Sequence, residues 1–102
     1  MGTYVIVLKK EDLAPGSCTT VDVKGTKIAL FNAGGTFYAI DNTCLHRGGP
    51  LGEGFLNGKT VTCPWHGWEY NVESGKCETT PGVSVKRYDV RVAGENVEIC
   101  VD

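Results

Sequence analysis

The chain of 102 residues is predicted to be all-β, an antiparallel sandwich or open barrel with a small subdomain inserted at about residues 42–75. Three observations predict this. Apolar and polar side chains alternate with a period of two along several runs, as half-buried strands require. The runs are rich in β-branched and aromatic residues, which suit a pleated surface. Between them stand Lys24-Gly25, Gly34-Gly35, Asn57-Gly58, Ser74-Gly75 and Ala93-Gly94-Glu95-Asn96, which are chain-reversing combinations.

Residues 3–8 (TYVIVL) form the first strand, broken by the charged run Lys9-Lys10-Glu11-Asp12. Any helix should be a single turn around residues 10–14. After a turn at residues 14–17 (APGS), the segment TTVDVKGTKIALF gives two strands hinged at Lys24-Gly25, with Val21, Val23, Ile28 and Leu30 in alternation. Residues 32–36 (NAGGT) reverse the chain, and the short strand FYAI delivers it to Asp41. Beyond Pro50 comes a glycine-rich connection, then a hairpin at Asn57-Gly58 whose second strand enters Cys63. GWEYNVESGKCETT continues as a hairpin about Ser74-Gly75. VSVKRYDVRVAGENVEICVD reads as two long strands, with Val97, Ile99 and Val101 facing inward and Glu98 and Cys100 facing a wetter side. No convincing amphipathic helix, repeat or linker is present.

This length supports one core, so residues 1–102 are expected to form a single domain. A formal charge of −2 offers no basic footprint for nucleic acid or for an anionic membrane surface. No run reaches the 18 or more apolar residues of a spanning helix, and Met1-Gly2-Thr3-Tyr4 leads into a strand rather than a signal peptide. A cytoplasmic monomer is expected. Of five cysteines, Cys18, Cys77 and Cys100 have irregular spacing and read as buried or partly buried thiols rather than a disulfide framework.

Cys44 and His46 lie in TCLHRGGPL, and Cys63 and His66 lie in TCPWHGW. These are the only two histidines, each within three residues of a cysteine. A mixed thiolate and imidazole set excludes hard cations and leaves zinc or an iron–sulfur centre. Zinc also accepts two Cys and two His. Zinc fingers, however, usually pair Cys with Cys and His with His within each short spacing.

On CLHRGGPLGEG and CPWHGWEYNVESGKC, with VKRYDVRV similar to a last long strand, the chain resembles soluble Rieske-type ferredoxins over essentially its whole length. The resemblance implies the Rieske fold and one [2Fe-2S] cluster, with Cys44 and Cys63 on the buried iron and His46 and His66 on the outer iron. Rieske proteins of cytochrome bc complexes brace their loops with a disulfide. The matching positions here are Gly49 and Trp65, so the chain resembles ferredoxins and oxygenase domains instead. Trp68 stands where high-potential members carry a serine donor, while Tyr70 matches a neighbouring tyrosine, so the potential is expected in the lower part of the range of roughly −150 to +300 mV. Gly48 and Gly67 are the best candidates for backbone amides approaching the cluster. Leu45, Pro50, Leu51, Pro64 and Trp65 would form an apolar docking rim. Pro81 and Gly82 resemble the loop covering a third side of the cluster.

The function implied is a one-electron carrier between an NAD(P)H-dependent flavoprotein reductase and a terminal aromatic-ring oxygenase, with no catalytic residues of its own. A terminal oxygenase needs a second iron held by two histidines and a carboxylate, and no histidine is left over. The alternatives are the Rieske-like small subunit of an NAD(P)H nitrite reductase and a zinc-stabilised interaction module. Reduction adds one negative charge beside two imidazoles and should raise their pKa values. The potential should then fall with pH at alkaline pH, and a flat potential there would contradict the ligand set.

Overall fold

In a computed structural model, residues 3–45, 48–65 and 67–101 are described. Their strands are β1 (Thr3–Lys9), β2 (Cys18–Val23), β3 (Thr26–Ala33), β4 (Thr36–Asp41), β5 (Phe55–Asn57), β6 (Thr60–Thr62), β7 (Glu69–Asn71), β8 (Arg87–Tyr88), β9 (Val90–Ala93) and β10 (Asn96–Val101). They form three antiparallel sheets in the orders β1-β10-β9, β2-β3-β4-β8 and β5-β6-β7. The all-β expectation holds. A single 3-10 turn occupies Lys10–Asp12, where one was expected, and a second occupies Leu51–Glu53, in what read as a plain glycine-rich connection.

The second sheet is the middle layer, because side chains alternate across β3 and both faces are covered. Ile28 and Leu30 enter one core with Leu13, Val23, Ala39, Val97 and Ile99, between this sheet and the β1-β10-β9 sheet. Ala29 and Phe31 point the other way, into a core with Ile40, Leu51, Val61, Tyr70, Val72 and Val85. The alternation of Ile28 and Leu30 therefore captured only half of the burial of β3. Burying a side chain such as Phe31 or Leu30 contributes roughly 1.5–3 kcal/mol, so this strand anchors both halves of the molecule.

The segment read as one long strand, VSVKRYDVRV, is divided. Ser84 makes an isolated bridge to Lys76, β8 pairs with β4, and β9 pairs with β10. Between β8 and β9 the chain passes from the middle sheet to the outer one, and the Asp89 carbonyl accepts the Cys100 N–H at 2.8 Å. The same crossing ties down the end of β4, where Tyr88 Oη donates to Asp41 Oδ1 at 2.7 Å. Burial, and then this bond, push the Tyr88 phenol up to about 12.

The turn at Ser74-Gly75 brings Gly75 against Val85, whose N–H donates to the Gly75 carbonyl at 2.8 Å. Gly75 has φ +82°, and a Cβ there would collide with the Val85 carbonyl oxygen, which accepts no side chain so close. Left-handed strain and overpacking each cost about 1–3 kcal/mol. Gly75→Ala is therefore expected to lower the thermal midpoint by at least about 10 °C. A midpoint within 2–3 °C of wild type, on the order of 0.5 kcal/mol, would show that the turn relaxes freely.

Candidate metal centre

Two loops converge beside the inner core, the one that Ala29 and Phe31 enter. The first leaves β4 at Asp41 and returns at Leu51–Glu53. Within it Thr43 bridges Pro50, the Cys44 N–H donates to the Gly49 carbonyl at 2.9 Å, and the Gly48 N–H donates to the Cys44 carbonyl at 2.7 Å. The second loop joins β6 to β7 and is closed by the Cys63 N–H, which donates to the Trp68 carbonyl at 2.7 Å. Each cysteine thus sits in a loop fixed by main-chain bonds, and both side chains are buried within one core.

The sulfur atoms have polar company. Tyr70 Oη lies 3.6 Å from Cys44 Sγ and accepts the Leu45 N–H at 3.1 Å, which leaves the phenol proton free to point at the sulfur. The Trp65 N–H donates to Cys63 Sγ at 3.4 Å. Burial pushes the Cys63 thiol up, the Trp65 N–H pulls it down, and the neighbouring Cys44 adds to the rise. Burial and then the Cys44 contact also drive Tyr70 above the usual phenol range. Two adjacent buried thiols resist ionising together, and a bound cation reverses that preference by deprotonating both. This donor set therefore fits the sulfur-ligated half of a metal cluster.

Gly49 is buried because its space is taken. A Cβ there would lie 2.7 Å from Cys63 Sγ and 3.0 Å from Trp65 Cγ. Positions 49 and 65, where the resemblance places a disulfide in other proteins, thus meet across the two loops as glycine against indole. His46 and His66 lie outside the described residues.

Gly48 and Gly67 both adopt left-handed backbone, with φ +75° and +77°. The amide of Gly48 nevertheless serves the Cys44 carbonyl, which closes the loop, rather than a sulfur. Trp68 is half-buried against the inner core, and Tyr70 is fully buried. Leu45 and Trp65 are 57% and 50% exposed, with Pro50 and Pro64 half-buried. Leu51 does not belong to the rim. It is fully buried in the inner core, because the 3-10 turn at residues 51–53 rotates it under the loop. Pro81 is exposed and lines a cleft with Lys76, Cys77, Gly82 and Val83. Cys77 is buried opposite Tyr70, whereas Cys18 and Cys100 are half-buried. The sequence reading missed Asn42, whose carboxamide holds the base of the first loop. Its signal was its position, two residues before a ligand candidate.

Tyr70→Phe removes one hydroxyl beside Cys44 and leaves the Leu45 N–H without its acceptor. A donor that favours the more negative, reduced state by about 1 kcal/mol is worth about 40 mV in a one-electron couple. The variant is expected to keep its cluster and to show a midpoint lower by tens of millivolts in a spectroelectrochemical titration. An unchanged midpoint would mean that the hydroxyl bonds elsewhere.

Two buried thiols presented from facing loops on a layered β scaffold suit a protein that ligates a metal through sulfur. The chain belongs to the Rieske [2Fe-2S] domain family, whose model matches residues 3–96, and it carries one Rieske [2Fe-2S] cluster. The ferredoxin component of the naphthalene 1,2-dioxygenase system of Pseudomonas putida is 33% identical over 100 residues, covering 97% of this chain and 94% of that one. Mouse apoptosis-inducing factor 3 is 36% identical over 90 residues, covering 87% of this chain, which spans only 15% of that protein. Among solved structures, a chain in a complex of reduced oxygenase and oxidised ferredoxin of carbazole 1,9a-dioxygenase superposes with a TM-score of 0.87 at 32% identity, over 94% of this chain and 91% of that one. A Mycobacterium tuberculosis structure described as a putative NADH-dependent nitrite reductase small subunit gives a TM-score of 0.92 at 23% identity, over 100% and 97% of the two chains, a likeness of fold alone.

Proposed function

We propose that the chain is the ferredoxin component of an aromatic-ring dioxygenase system, accepting one electron from a flavoprotein reductase and delivering it to a terminal oxygenase. The observation that carries this reading is the pair of buried sulfurs, Cys44 and Cys63, flanked by two exposed apolar side chains, Leu45 and Trp65. In this reading Cys44 and Cys63 hold the inner iron, while His46 and His66 hold the outer one. When bound, the cluster supplies a reversible one-electron couple.

The protein's own residues set the conditions for that couple. The Trp65 N–H and the Tyr70 hydroxyl place positive dipole ends at the two sulfurs, favouring the more negative state. Val61, Tyr70 and Val72 are buried behind the loops and keep water from the sulfurs on that side, which strengthens the bonds of their few polar neighbours. Leu45 and Trp65 offer an apolar surface within a residue or two of the sulfur ligands, where a partner's approach shortens the electron's path. The chain acts as a monomer in the cytoplasm, and Pro81 covers a third side of the site. The full-length match to dioxygenase ferredoxins supports this reading over a nitrite reductase subunit.

The test is a visible and EPR spectrum of aerobically purified protein with iron, sulfide and zinc assayed together, followed by turnover with candidate reductases and oxygenases. Two irons and two sulfides per chain and reduction by a flavoprotein reductase are expected. Co-purification with a large sirohaem protein, or stoichiometric zinc, would defeat the proposal.

A further inference from the structure

We propose that Asn42 is a positioning residue of the cluster site, its carboxamide closing the loop that carries Cys44 and tying that loop to β2. The inference rests on the cluster reading above and concerns what holds the first sulfur in place. Asn42 is 8% exposed, and its Oδ1 accepts two bonds, from Thr20 Oγ1 at 3.0 Å and from the Gly52 N–H at 2.8 Å. Its main-chain carbonyl accepts the Leu51 N–H at 2.7 Å. One residue therefore joins the two ends of the segment 42–52 through both its backbone and its side chain, and also joins that segment to a strand of the middle sheet.

Three elements meet at this one oxygen with little slack. A Cβ on Gly52 would collide with Thr20 Oγ1 and come within 2.7 Å of the Thr19 carbonyl oxygen, so the 3-10 turn lies directly on β2. Cys44 is two residues along from Asn42, and its sulfur has to meet Tyr70 Oη from across the core. Without the carboxamide, the buried Gly52 N–H and the half-buried Thr20 hydroxyl both lose their acceptor, and the base of the loop opens to bring water to the Gly52 N–H. The sulfur seat then loosens although every ligand remains.

Asn32 offers a matched control. It is 4% exposed, its Nδ2 donates to the Leu13 carbonyl at 2.7 Å, and its Oδ1 accepts the Gly35 N–H at 2.8 Å, all outside the two loops. The experiment compares wild type, Asn42→Ala, Asn42→Asp and Asn32→Ala as purified holoproteins. It reads the half-life of the visible absorption under excess chelator, the EPR line shape after reduction, and the thermal midpoint. Asn42→Ala is expected to shorten the half-life about tenfold and to alter the line shape. Asn42→Asp keeps an acceptor oxygen and should recover most of the half-life. Asn32→Ala should lower the midpoint comparably while leaving half-life and line shape alone. Equal lability in both alanine variants would reduce Asn42 to a general stabiliser and overturn the proposal, as would wild-type behaviour of Asn42→Ala.

If Asn42→Ala does not fold, Thr20→Val removes one of the two donors while keeping the shape. A shorter half-life in that variant supports the proposal, and an unchanged half-life with an unchanged line shape overturns it. A wild-type protein that contains no cluster overturns the underlying reading before any variant is compared, so the two failures are distinct.

Discussion

Cys63→Ser is expected to abolish the cluster, taking iron and acid-labile sulfide from two per chain to near zero and removing the EPR signal of the reduced protein. The replacement changes one atom and little volume, so the cause would be chemical. The ligand has to be a thiolate, which iron–sulfur centres hold as a soft donor, whereas a serine hydroxyl scarcely ionises at neutral pH. Cys63 is 1% exposed in a loop closed by its own main-chain bond to Trp68, so no solvent group can take its place. The Trp65 N–H would also lose a large, polarisable acceptor. Because metal binding is linked to folding, the variant should also unfold at a lower temperature. Cys100→Ser is the comparison. Its thiol is half-buried on β10, away from both loops, and that variant should keep its full iron content. A Cys63→Ser protein that retained two irons and its reduced spectrum would remove Cys63 from the ligand set, and with it the arrangement proposed for all four residues.

How much of this was legible in the sequence differs from residue to residue. The strands before and after Lys24-Gly25 were readable because Val21, Val23, Ile28 and Leu30 alternate and because Gly25 accepts positive φ, here 86°, whereas the 52° at Lys24 had no signal in the sequence. The second buried face of β3 was not, since Ala29 and Phe31 sit in a continuous apolar run whose period cannot say what covers each side. The break at Asp89 carried no glycine or proline to announce it. It exists because the chain has to change sheets, a tertiary demand that local preference does not record. Cys44 and Cys63 stood out through their spacing to the two histidines. Leu51 was misplaced on the rim because a residue after Pro50 in a glycine-rich loop shows no periodicity from which burial can be judged. Asn42 escaped notice for a related reason. Its role lies in three partners, Thr20, Leu51 and Gly52, that only the fold brings together.

Trp65→Ala is expected to slow electron delivery to the proposed oxygenase partner about tenfold in kcat/KM while leaving iron content, midpoint potential and EPR line shape unchanged. The division follows from which part of the residue does what. The contact with Cys63 Sγ comes from the backbone N–H, which alanine keeps. The indole is 50% exposed, so truncating it removes roughly 100 Å² of apolar surface from the rim, an upper bound of about 2.5 kcal/mol on docking at 25 cal/mol per Å². Association costs consume part of that, which brings the expected loss nearer 1.4 kcal/mol. The buried half of the ring packs over Gly49, and here the alternative makes a different forecast. If the indole acts chiefly as a lid on the two loops, the variant should lose iron, shift its potential, or bleach faster in air before any change in docking is measurable. Phe55→Ala separates a specific patch from general stickiness, since Phe55 is 69% exposed on β5 and lies in neither loop. A rate loss in Phe55→Ala equal to that in Trp65→Ala would mean that exposed apolar area beyond the two loops serves the proposed partner equally well, and that proximity of Trp65 to Cys44 and Cys63 confers nothing further.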